Sequence, residues 1–323
     1  MSKIVTVIGA TGIQGGSVIR ALVDSPEYSL RAVTRNTESH AAKELAARGV
    51  EVVGADINDV GSLREAFAGS QAVFAATNFF EALPTLGIEK SMEMETRLGR
   101  NIADAAAATE SLEHYVWSTL PNSRKNTGGK VVVPYYESKN RVDDHIKAQH
   151  PQLLRKTTFL WLGWYASNMD YPWYRPSEVH TAGDDRLYVQ LLSVSTSVKI
   201  PVLGDEKVNP GLFVRTILDR PDLTLPAKVV AGMDEQLALS EIARVYGAAQ
   251  GINVRSVQIT KADYEKLWPA WGELMDVSHS YMEVMDGKGF TSVDEDVLSK
   301  EDLGVKGLIG TAQAFVKSKT GCL

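Results

Sequence analysis

The chain contains 323 residues, of which 44% are hydrophobic and 23% are charged, and its formal net charge is −6. These values are typical of a soluble globular protein with one large or two modest domains. Because lysine and arginine are scattered through an acidic chain, nucleic acid is not an expected partner. No apolar run approaches the length of a membrane span and no signal peptide is visible, so no membrane partner is expected either.

The cysteine and histidine content restricts the chemistry further. The only cysteine is Cys322, which cannot form an intramolecular disulfide and fits a reducing compartment. We therefore expect a cytoplasmic protein. The six histidines show no metal-ligand spacing with a cysteine, so the sequence predicts no metal site.

The first predicted element is a strand over residues 4–8, whose β-branched residues are typical of a buried parallel strand. Gly9, Gly12 and Gly15 follow, and then a helix is predicted over residues 17–23. In such a unit the first glycine permits a tight turn, the second lets a pyrophosphate approach, and the third lets the helix pack closely. The motif therefore predicts a dinucleotide site. The alternative is a glycine-rich turn that binds nothing.

The end of the second strand bears on which dinucleotide is bound. This strand is predicted over residues 29–34 and is followed by Arg35, where an NAD site usually presents an acidic residue. A guanidinium suits a 2′-phosphate, so NADP(H) is favoured over NAD(H), the alternative being a solvated arginine. The third strand, over residues 50–56, ends in Asp56. That carboxylate either bonds the adenine side of the cofactor or caps a helix starting near Gly61.

Strands and helices alternate through the first half of the chain. Further strands are predicted over residues 71–77, 114–119 and 157–161, and helices over residues 41–48, 62–68, 88–108 and 137–149. This alternation predicts the α/β class, with a Rossmann-type doubly wound parallel sheet in a first domain, residues 1–162.

The pattern changes after that domain. Residues 163–226 are rich in turns, aromatics and prolines, and no element is predicted there. The elements predicted beyond are a strand over 228–231, a helix over 240–250, a strand over 255–259 and a helix from 261. We expect residues 163–323 to form a smaller α+β C-terminal lobe for substrate or partner, from which some segments could return to the Rossmann sheet.

Candidate catalytic residues follow the fifth strand. Tyr135 and Lys139 are separated by one helical turn, and Pro134 suits the start of that helix. An ammonium beside a phenol favours the phenolate and lowers the tyrosine pKa, so Tyr135 could donate a proton while a nicotinamide delivers hydride. Ser118 or Thr119 would hydrogen-bond the same substrate oxygen. In the alternative, Tyr135 is a packing residue and Lys139 merely touches the cofactor ribose.

Several segments together resemble the NmrA-like branch of the atypical short-chain dehydrogenases/reductases. The resemblance spans nearly the whole chain and is weakest between about 170 and 225. The matching segments are residues 9–18, 33–36, 77–79, 116–120, 134–139, 165–168 and 260–267.

This resemblance implies a Rossmann domain that binds NADP(H), with Lys139 near the nicotinamide ribose. The complete predicted cofactor-binding set is Gly9, Thr11, Gly12, Ile13, Gln14, Gly15, Arg35, Asp56, Ile57, Thr77, Asn78, Phe79, Lys139, Tyr165 and Asn168. Some members resemble non-catalytic redox sensors that bind a protein partner and usually lack the catalytic tyrosine. Because Tyr135 is present here, the sequence favours catalysis.

Aromatic residues suggest the substrate. Phe80, Trp164, Tyr165, Trp173 and Trp268 are predicted to line an apolar pocket, with Trp271 able to close it; the alternative is packing between lobes. The sequence thus predicts an NADPH-dependent reductase of a small aromatic or polycyclic carbonyl or conjugated substrate, as in fungal secondary metabolism. The alternatives are an NADP(H)-sensing regulator with a protein partner and redox-neutral isomerisation or dehydration.

Overall fold

The computed structural model describes residues 2–180 and 186–320, and Cys322 lies outside them. The elements of its first half are β1 (Lys3–Ile8), α1 (Ile13–Leu22), β2 (Tyr28–Thr34), α2 (His40–Ala47), β3 (Glu51–Gly54), α3 (Val60–Phe67), β4 (Ala72–Ala75), a 3-10 turn (Phe79–Glu81), α4 (Leu83–Ala107), β5 (His114–Thr119), α5 (Ser123–Asn126), α6 (Pro134–Gln149), α7 (Pro151–Leu154) and β6 (Thr157–Leu162).

The second half contributes shorter elements. They are β7 (Trp164–Tyr165), a 3-10 turn (Ala166–Asp170), β8 (Ser177–Val179), β9 (Leu187–Leu192), β10 (Lys199–Gly204), α8 (Asn209–Asp219), α9 (Pro221–Thr224), β11 (Lys228–Gly232), β12 (Glu235–Ala238), α10 (Leu239–Gln250), β13 (Asn253–Gln258), α11 (Lys261–Leu267), α12 (Trp271–Met285), β14 (Val297–Leu298), α13 (Lys300–Leu303) and α14 (Thr311–Thr320). Within the described ranges, no helix combines the length and apolarity needed to span a bilayer.

The central sheet confirms the predicted fold class. Its strand order is β14-β11-β6-β5-β4-β1-β2-β3, and its neighbouring strands pair in parallel. The order reverses between β1 and β4, as in a doubly wound Rossmann sheet, and ligands of such sheets bind at the carboxyl ends of the strands next to that point.

Burial explains why these segments form the sheet. All residues of β4, β5 and β6 are buried, which is the pattern of strands covered by helices on both faces. Local chemistry sets several helix boundaries. Ser39 and Asp59 accept backbone hydrogen bonds at the starts of α2 and α3, and α4 becomes regular only after Gly87, whose φ is +74°.

Parts of the second half complete the central sheet. β11 pairs with β6, and β14 pairs with β11. α8 packs on α1 at very close range, because a Cβ on Gly211 would lie 2.2 Å from the Ser17 carbonyl oxygen. The Gly211 amide also donates to Ser17 Oγ at 2.8 Å. These segments therefore belong to the Rossmann layer rather than to the C-terminal lobe.

The C-terminal lobe contains two small sheets, β12-β10-β7 and β13-β9-β8. The sequence assigned no elements to residues 163–226, and β7 to β10, α8 and α9 form there. β7 and β8 are only two and three residues long and β10 contains Pro201. β9 and β10 also pair with strands far along the chain, as Val202 does with Glu235. Local periodicity carries little information about such strands.

Candidate functional site

The glycine turn after β1 has the geometry that its sequence predicts. Gly9 has a φ of +68°, which glycine adopts without strain. Its carbonyl accepts the Gly12 amide at 2.8 Å. A Cβ on Gly15 would lie 2.3 Å from the Gly9 oxygen and one on Gly12 would lie 3.2 Å from it. No side chain caps α1 at Gly12, so the first amides of α1 remain available to an anion.

Residues flanking the turn stand at the same edge. Thr11, Gly12 and Ile13 are exposed, and Gln14 is half-buried. Gln14 Nε2 donates to the Tyr165 hydroxyl at 2.8 Å, which joins the first turn of α1 to the segment after β6. Tyr165 is thereby held by α1 rather than by the aromatic residues of the expected pocket.

Arg35 stands at the end of β2 with a partner that the sequence did not suggest. Its side chain is 71% exposed and donates to Glu81 Oε1 at 3.1 Å. Glu81 belongs to the 3-10 turn after β4, the next strand but one in the sheet. An exposed carboxylate therefore competes for the guanidinium that would receive a 2′-phosphate.

Asp56 does not cap α3, so that alternative is wrong. The cap is Asp59, which accepts the Gly61 amide, whereas Asp56 accepts the backbone and side-chain N–H groups of Asn58. Those hydrogen bonds lower the pKa of Asp56. Asp56 is exposed and Ile57 half-buried at the end of β3, and a role for either in binding adenine remains a prediction.

Lys139 forms a buried network that the sequence analysis missed. Its Nζ donates to Glu95 Oε1 at 2.7 Å, to Thr77 Oγ1 at 3.0 Å and to the Thr77 carbonyl at 3.1 Å. Thr77 Oγ1 and Ser138 Oγ also donate to Glu95. The ammonium thus uses all three of its donors. Glu95 was detectable, because it lies on the apolar stripe of the predicted helix at 88–108 with Met92 and Gly99.

Tyr135 is arranged differently from the prediction. Its hydroxyl shares a 2.7 Å hydrogen bond with Ser278 of α12, and its ring packs against Phe80 and Tyr136. Burial raises the pKa of Tyr135, and the Ser278 hydrogen bond only partly offsets this. The predicted lowering of this pKa by Lys139 is therefore wrong, since the Lys139 ammonium is engaged by Glu95 and Thr77.

Ser118 and Thr119, at the end of β5, face opposite sides of the sheet because side chains alternate along a strand. Thr119 Oγ1 donates to Asp143 Oδ2 at 2.9 Å, and Trp117 Nε1 donates to Oδ1 at 2.8 Å. The Thr119 hydroxyl therefore donates its hydrogen bond to Asp143 and not to a substrate oxygen. Burial raises the pKa of Asp143 to about 7. Ser118 is also buried, and its proposed contact with substrate remains a prediction.

Five rings form what we call the aromatic stack. Successive centroids lie 4.9 Å apart for Tyr171 and Trp173, 4.3 Å for Trp173 and Trp271, 5.8 Å for Trp271 and Phe80, and 5.2 Å for Phe80 and Tyr135. The stack runs from the segment after β6 across the start of α12 to the segment after β4. Phe80 is 37% exposed, so the stack combines interlobe packing with an open apolar surface.

Other predicted pocket residues lie apart from the stack. Trp164 packs edge-on against Tyr174, and Trp268 packs against Tyr264. Trp271, rather than Trp268, lies between Trp173 and Phe80 in the aromatic stack. Asn78 caps the 3-10 turn by accepting the Phe80 amide. Two further residues were predicted to bind the cofactor. Phe79 is buried in the core, and Asn168 is half-buried in the second 3-10 turn.

The strand order and the glycine turn together define a Rossmann-type protein with an elaborated C-terminal lobe. The chain belongs to the NmrA-like family, whose sequence profile matches residues 1–302. This confirms the family resemblance drawn from the sequence.

Relatives among known sequences carry related names. The chain is 31% identical to the NmrA-like family domain-containing oxidoreductase cpsB of Aspergillus campestris over 266 residues, which is 80% of this chain and 76% of that protein. It is 37% identical to the oxidoreductase hkm9 of Aspergillus hancockii over 52% of this chain and 48% of that protein. A Dictyostelium discoideum protein named only for its NmrA-like domain is 26% identical over 85% of this chain and 86% of that protein.

Solved structures share the fold. NmrA, described as a negative transcriptional regulator in complex with NADP, superposes with a TM-score of 0.72 at 19% identity, covering 100% of this chain and 98% of that one. The NADPH-dependent quinone oxidoreductase QOR2 of Escherichia coli, complexed with NADPH, superposes with a TM-score of 0.67 at 16% identity, covering 98% and 99%. These likenesses establish a shared architecture.

Proposed function

We propose that this chain is an NADP(H)-dependent reductase of a small aromatic or conjugated substrate. The observation that carries the proposal is that the aromatic stack reaches the same sheet edge as the glycine turn and ends on a tyrosine hydroxyl. A relative that is 31% identical to this chain over 266 aligned residues is named an oxidoreductase, which supports the same class of activity.

The residues at the turn fit a dinucleotide. A pyrophosphate would meet the uncapped amides of α1, and the absence of side chains at Gly12 and Gly15 keeps the approach open. Arg35 offers paired donors to a 2′-phosphate. That NmrA has been solved with NADP and also with NAD, and QOR2 with NADPH, supports a nicotinamide dinucleotide as the ligand.

The neighbouring side chains suggest how a reduction would proceed. A bound nicotinamide dinucleotide would supply a hydride to the substrate carbon, and the chain would then have to supply a proton to the substrate oxygen. Tyr135 is kept neutral by burial, so its O–H can donate once it leaves Ser278, and solvent then restores the proton. Lys139 and Glu95 keep the Thr77 backbone fixed at the cofactor edge. Phe80 and Trp271 provide a flat surface on which an aromatic substrate would lie.

The decisive experiment follows the loss of NADPH absorbance with aromatic ketones, quinones and enones as substrates. We expect turnover in the wild-type protein and a loss of about 100-fold or more in Tyr135→Phe, since general acid catalysis contributes rate factors of that order. Tyr188→Phe is the matched control, because the Tyr188 hydroxyl lies on β9 and contacts Glu178 at 3.4 Å. Turnover that survives in Tyr135→Phe would remove Tyr135 from the mechanism.

A second candidate function is an NADP(H) sensor that binds a protein partner. The observation favouring it is that Tyr135 is hydrogen-bonded to Ser278 and Lys139 is neutralised by Glu95, so neither is ready for chemistry. Tight NADPH binding without turnover on any substrate would support the sensor. NADP⁺ and NADPH should then protect α12 from hydrogen exchange to different extents, and equal protection would argue against it.

A further inference from the structure

A cluster of two histidines and one carboxylate lies outside the site described above. His145 Nε2 is 2.6 Å from Asp104 Oδ1, and His150 Nε2 is 2.7 Å from the same oxygen. The three potential ligand atoms all lie within 4.8 Å of one another. The imidazole rings are 5.0 Å apart and nearly perpendicular, so both rings aim a nitrogen at one point without stacking on each other.

The fold brings this cluster together at the edge of the sheet opposite the glycine turn. Asp104 lies in the last turn of α4, His145 in the last turns of α6, and His150 directly after α6. Helices that connect neighbouring parallel strands run antiparallel to them, so these helix ends lie at the amino edge of the sheet. At about 1.5 Å per residue along the helices, His145 lies roughly 9 Å from Lys139 and Asp104 lies roughly 14 Å from Glu95.

The two helices are closely packed, which fixes the cluster. A Cβ on Gly99 of α4 would lie 2.6 Å from a methyl of Val142 of α6, so the backbones approach near the cluster. The side chains of His145, His150 and Asp104 remain 18%, 23% and 36% exposed. An ion and its water ligands can therefore reach the cluster from solvent.

Two imidazole nitrogens and one carboxylate oxygen form a ligand set typical of divalent first-row metals, which complete their coordination with water. Ligand atoms of a tetrahedral zinc ion bound at about 2.0–2.1 Å stand roughly 3.3 Å apart. The two N–O separations are shorter, at 2.6 and 2.7 Å, so these partly exposed side chains would have to move apart by about 0.6–0.7 Å. Each Nε2 now donates a hydrogen to the carboxylate, and on binding that hydrogen would move to Nδ1 or leave to solvent.

We propose that Asp104, His145 and His150 form a binding site for a divalent transition-metal ion of the zinc class, which links the end of α4 to the end of α6. This cluster contains no cysteine, so it lacks the histidine–cysteine spacing by which a metal site is recognised in a sequence. Its ligands come from two helices, and only the packing of those helices brings them together. The ion would hold together the two helices that carry Glu95 and Lys139.

The test uses the full chain without a polyhistidine tag and with Cys322→Ser, which removes the sole thiol of the sequence. After treatment with a chelator, Zn²⁺ alone is titrated by calorimetry. We expect one ion per chain, a higher melting temperature, and affinity lowered by about tenfold or more in Asp104→Asn, His145→Gln and His150→Gln. His40→Gln is the matched control, because His40 is exposed on α2, away from the cluster, and pairs with Glu44 at 3.5 Å. The zinc affinity of this variant should equal that of the unchanged protein.

Cobalt provides a readout that does not depend on any variant. Co²⁺ bound by two imidazoles and a carboxylate should give visible ligand-field absorption in the unsubstituted protein, and Zn²⁺ should displace it. Absence of stoichiometric binding, or binding retained in all three variants that fold, would overturn the proposal. The cluster would then be a pair of histidines hydrogen-bonded to one carboxylate at the carboxyl ends of two helices.

Discussion

At the residue scale, the ion pair between Arg35 and Glu81 decides how a 2′-phosphate would be received. The guanidinium is well placed at the end of β2, but an exposed carboxylate 3.1 Å away already accepts one of its hydrogens. A negatively charged phosphate would have to displace Glu81 or bind beside it. The sequence showed the arginine alone, because Glu81 follows a different strand.

We predict opposite effects from substituting the two partners. Arg35→Ala should weaken NADPH binding by about tenfold, the value of one charge-assisted hydrogen bond. Glu81→Gln should strengthen NADPH binding, because a competing and repulsive carboxylate is removed. Fluorescence titration with NADPH measures both effects, and NADH is the control because it lacks the 2′-phosphate. Equal losses for the two cofactors in Arg35→Ala would contradict the assignment.

A second prediction at this scale concerns the contribution of the buried Lys139–Glu95 ion pair to the free energy of unfolding. Glu95→Gln leaves the ammonium buried beside a neutral partner, and the loss of one member of a buried ion pair costs about 3–5 kcal/mol. Urea unfolding should show this loss. Glu93 is exposed on the same helix. Glu93→Gln is therefore the control and should change the free energy of unfolding little.

A double-mutant cycle separates this pair from simple loss of packing. Glu95→Gln combined with Lys139→Met removes both charges, so its cost should be clearly smaller than the sum of the single costs. Strict additivity would mean that the two groups do not interact as their 2.7 Å separation indicates.

At the element scale, the turn between β1 and α1 shows why one glycine differs from another. Gly9 is required for its backbone conformation, whereas Gly15 is required for close approach. Gly15→Ala should force the turn apart, because the new methyl would meet the Gly9 carbonyl at 2.3 Å. We expect loss of NADPH binding together with a lower melting temperature.

The control for that substitution is another glycine with room for a methyl. A Cβ on Gly54 would lie 3.5 Å from its nearest neighbour, a Thr37 methyl, which is an ordinary contact. Gly54→Ala should therefore retain the melting temperature and the NADPH affinity. If both variants behaved alike, steric crowding at the turn could not be the cause.

At the scale of the whole molecule, two buried histidines tie stability to pH. Burial lowers the pKa of His114 to about 4 and that of His279 to about 4, while both ionise near pH 6.5 in an unfolded chain. Acid therefore favours unfolding. The stability that depends on these neutral rings is fully present above pH 6.5 and is lost as the pH falls towards 4.

The expected size of this effect is about 1–2 kcal/mol for each histidine at pH 5 relative to pH 7. His114→Gln keeps a donor for Thr158, which His114 Nε2 contacts at 2.8 Å. Urea unfolding at the two pH values should give a smaller pH-dependent loss for His114→Gln than for the wild type. A loss matching that of the wild type would contradict the assignment to His114.

The sequence determined by itself those features that depend on neighbours along the chain. The predicted strand over residues 114–119 coincides with β5. The helix predicted from Ile88 starts directly after Gly87, whose non-helical backbone interrupts α4. Glycine spacing, the apolar composition of strand segments and helix breaks are local properties. They therefore fixed the Rossmann class and placed Gly9, Arg35 and Thr77 at strand ends.

Only the tertiary structure decided which groups those residues meet. Lys139 and Tyr135 lie one helical turn apart, yet one is bound by Glu95 and the other by Ser278, which is 143 residues distant. The same is true of Glu81 beside Arg35 and of Asp104 beside His145. Hydrogen bonds and ion pairs act over a few ångströms of space, and packing of distant elements sets those distances without leaving a periodic pattern in the sequence.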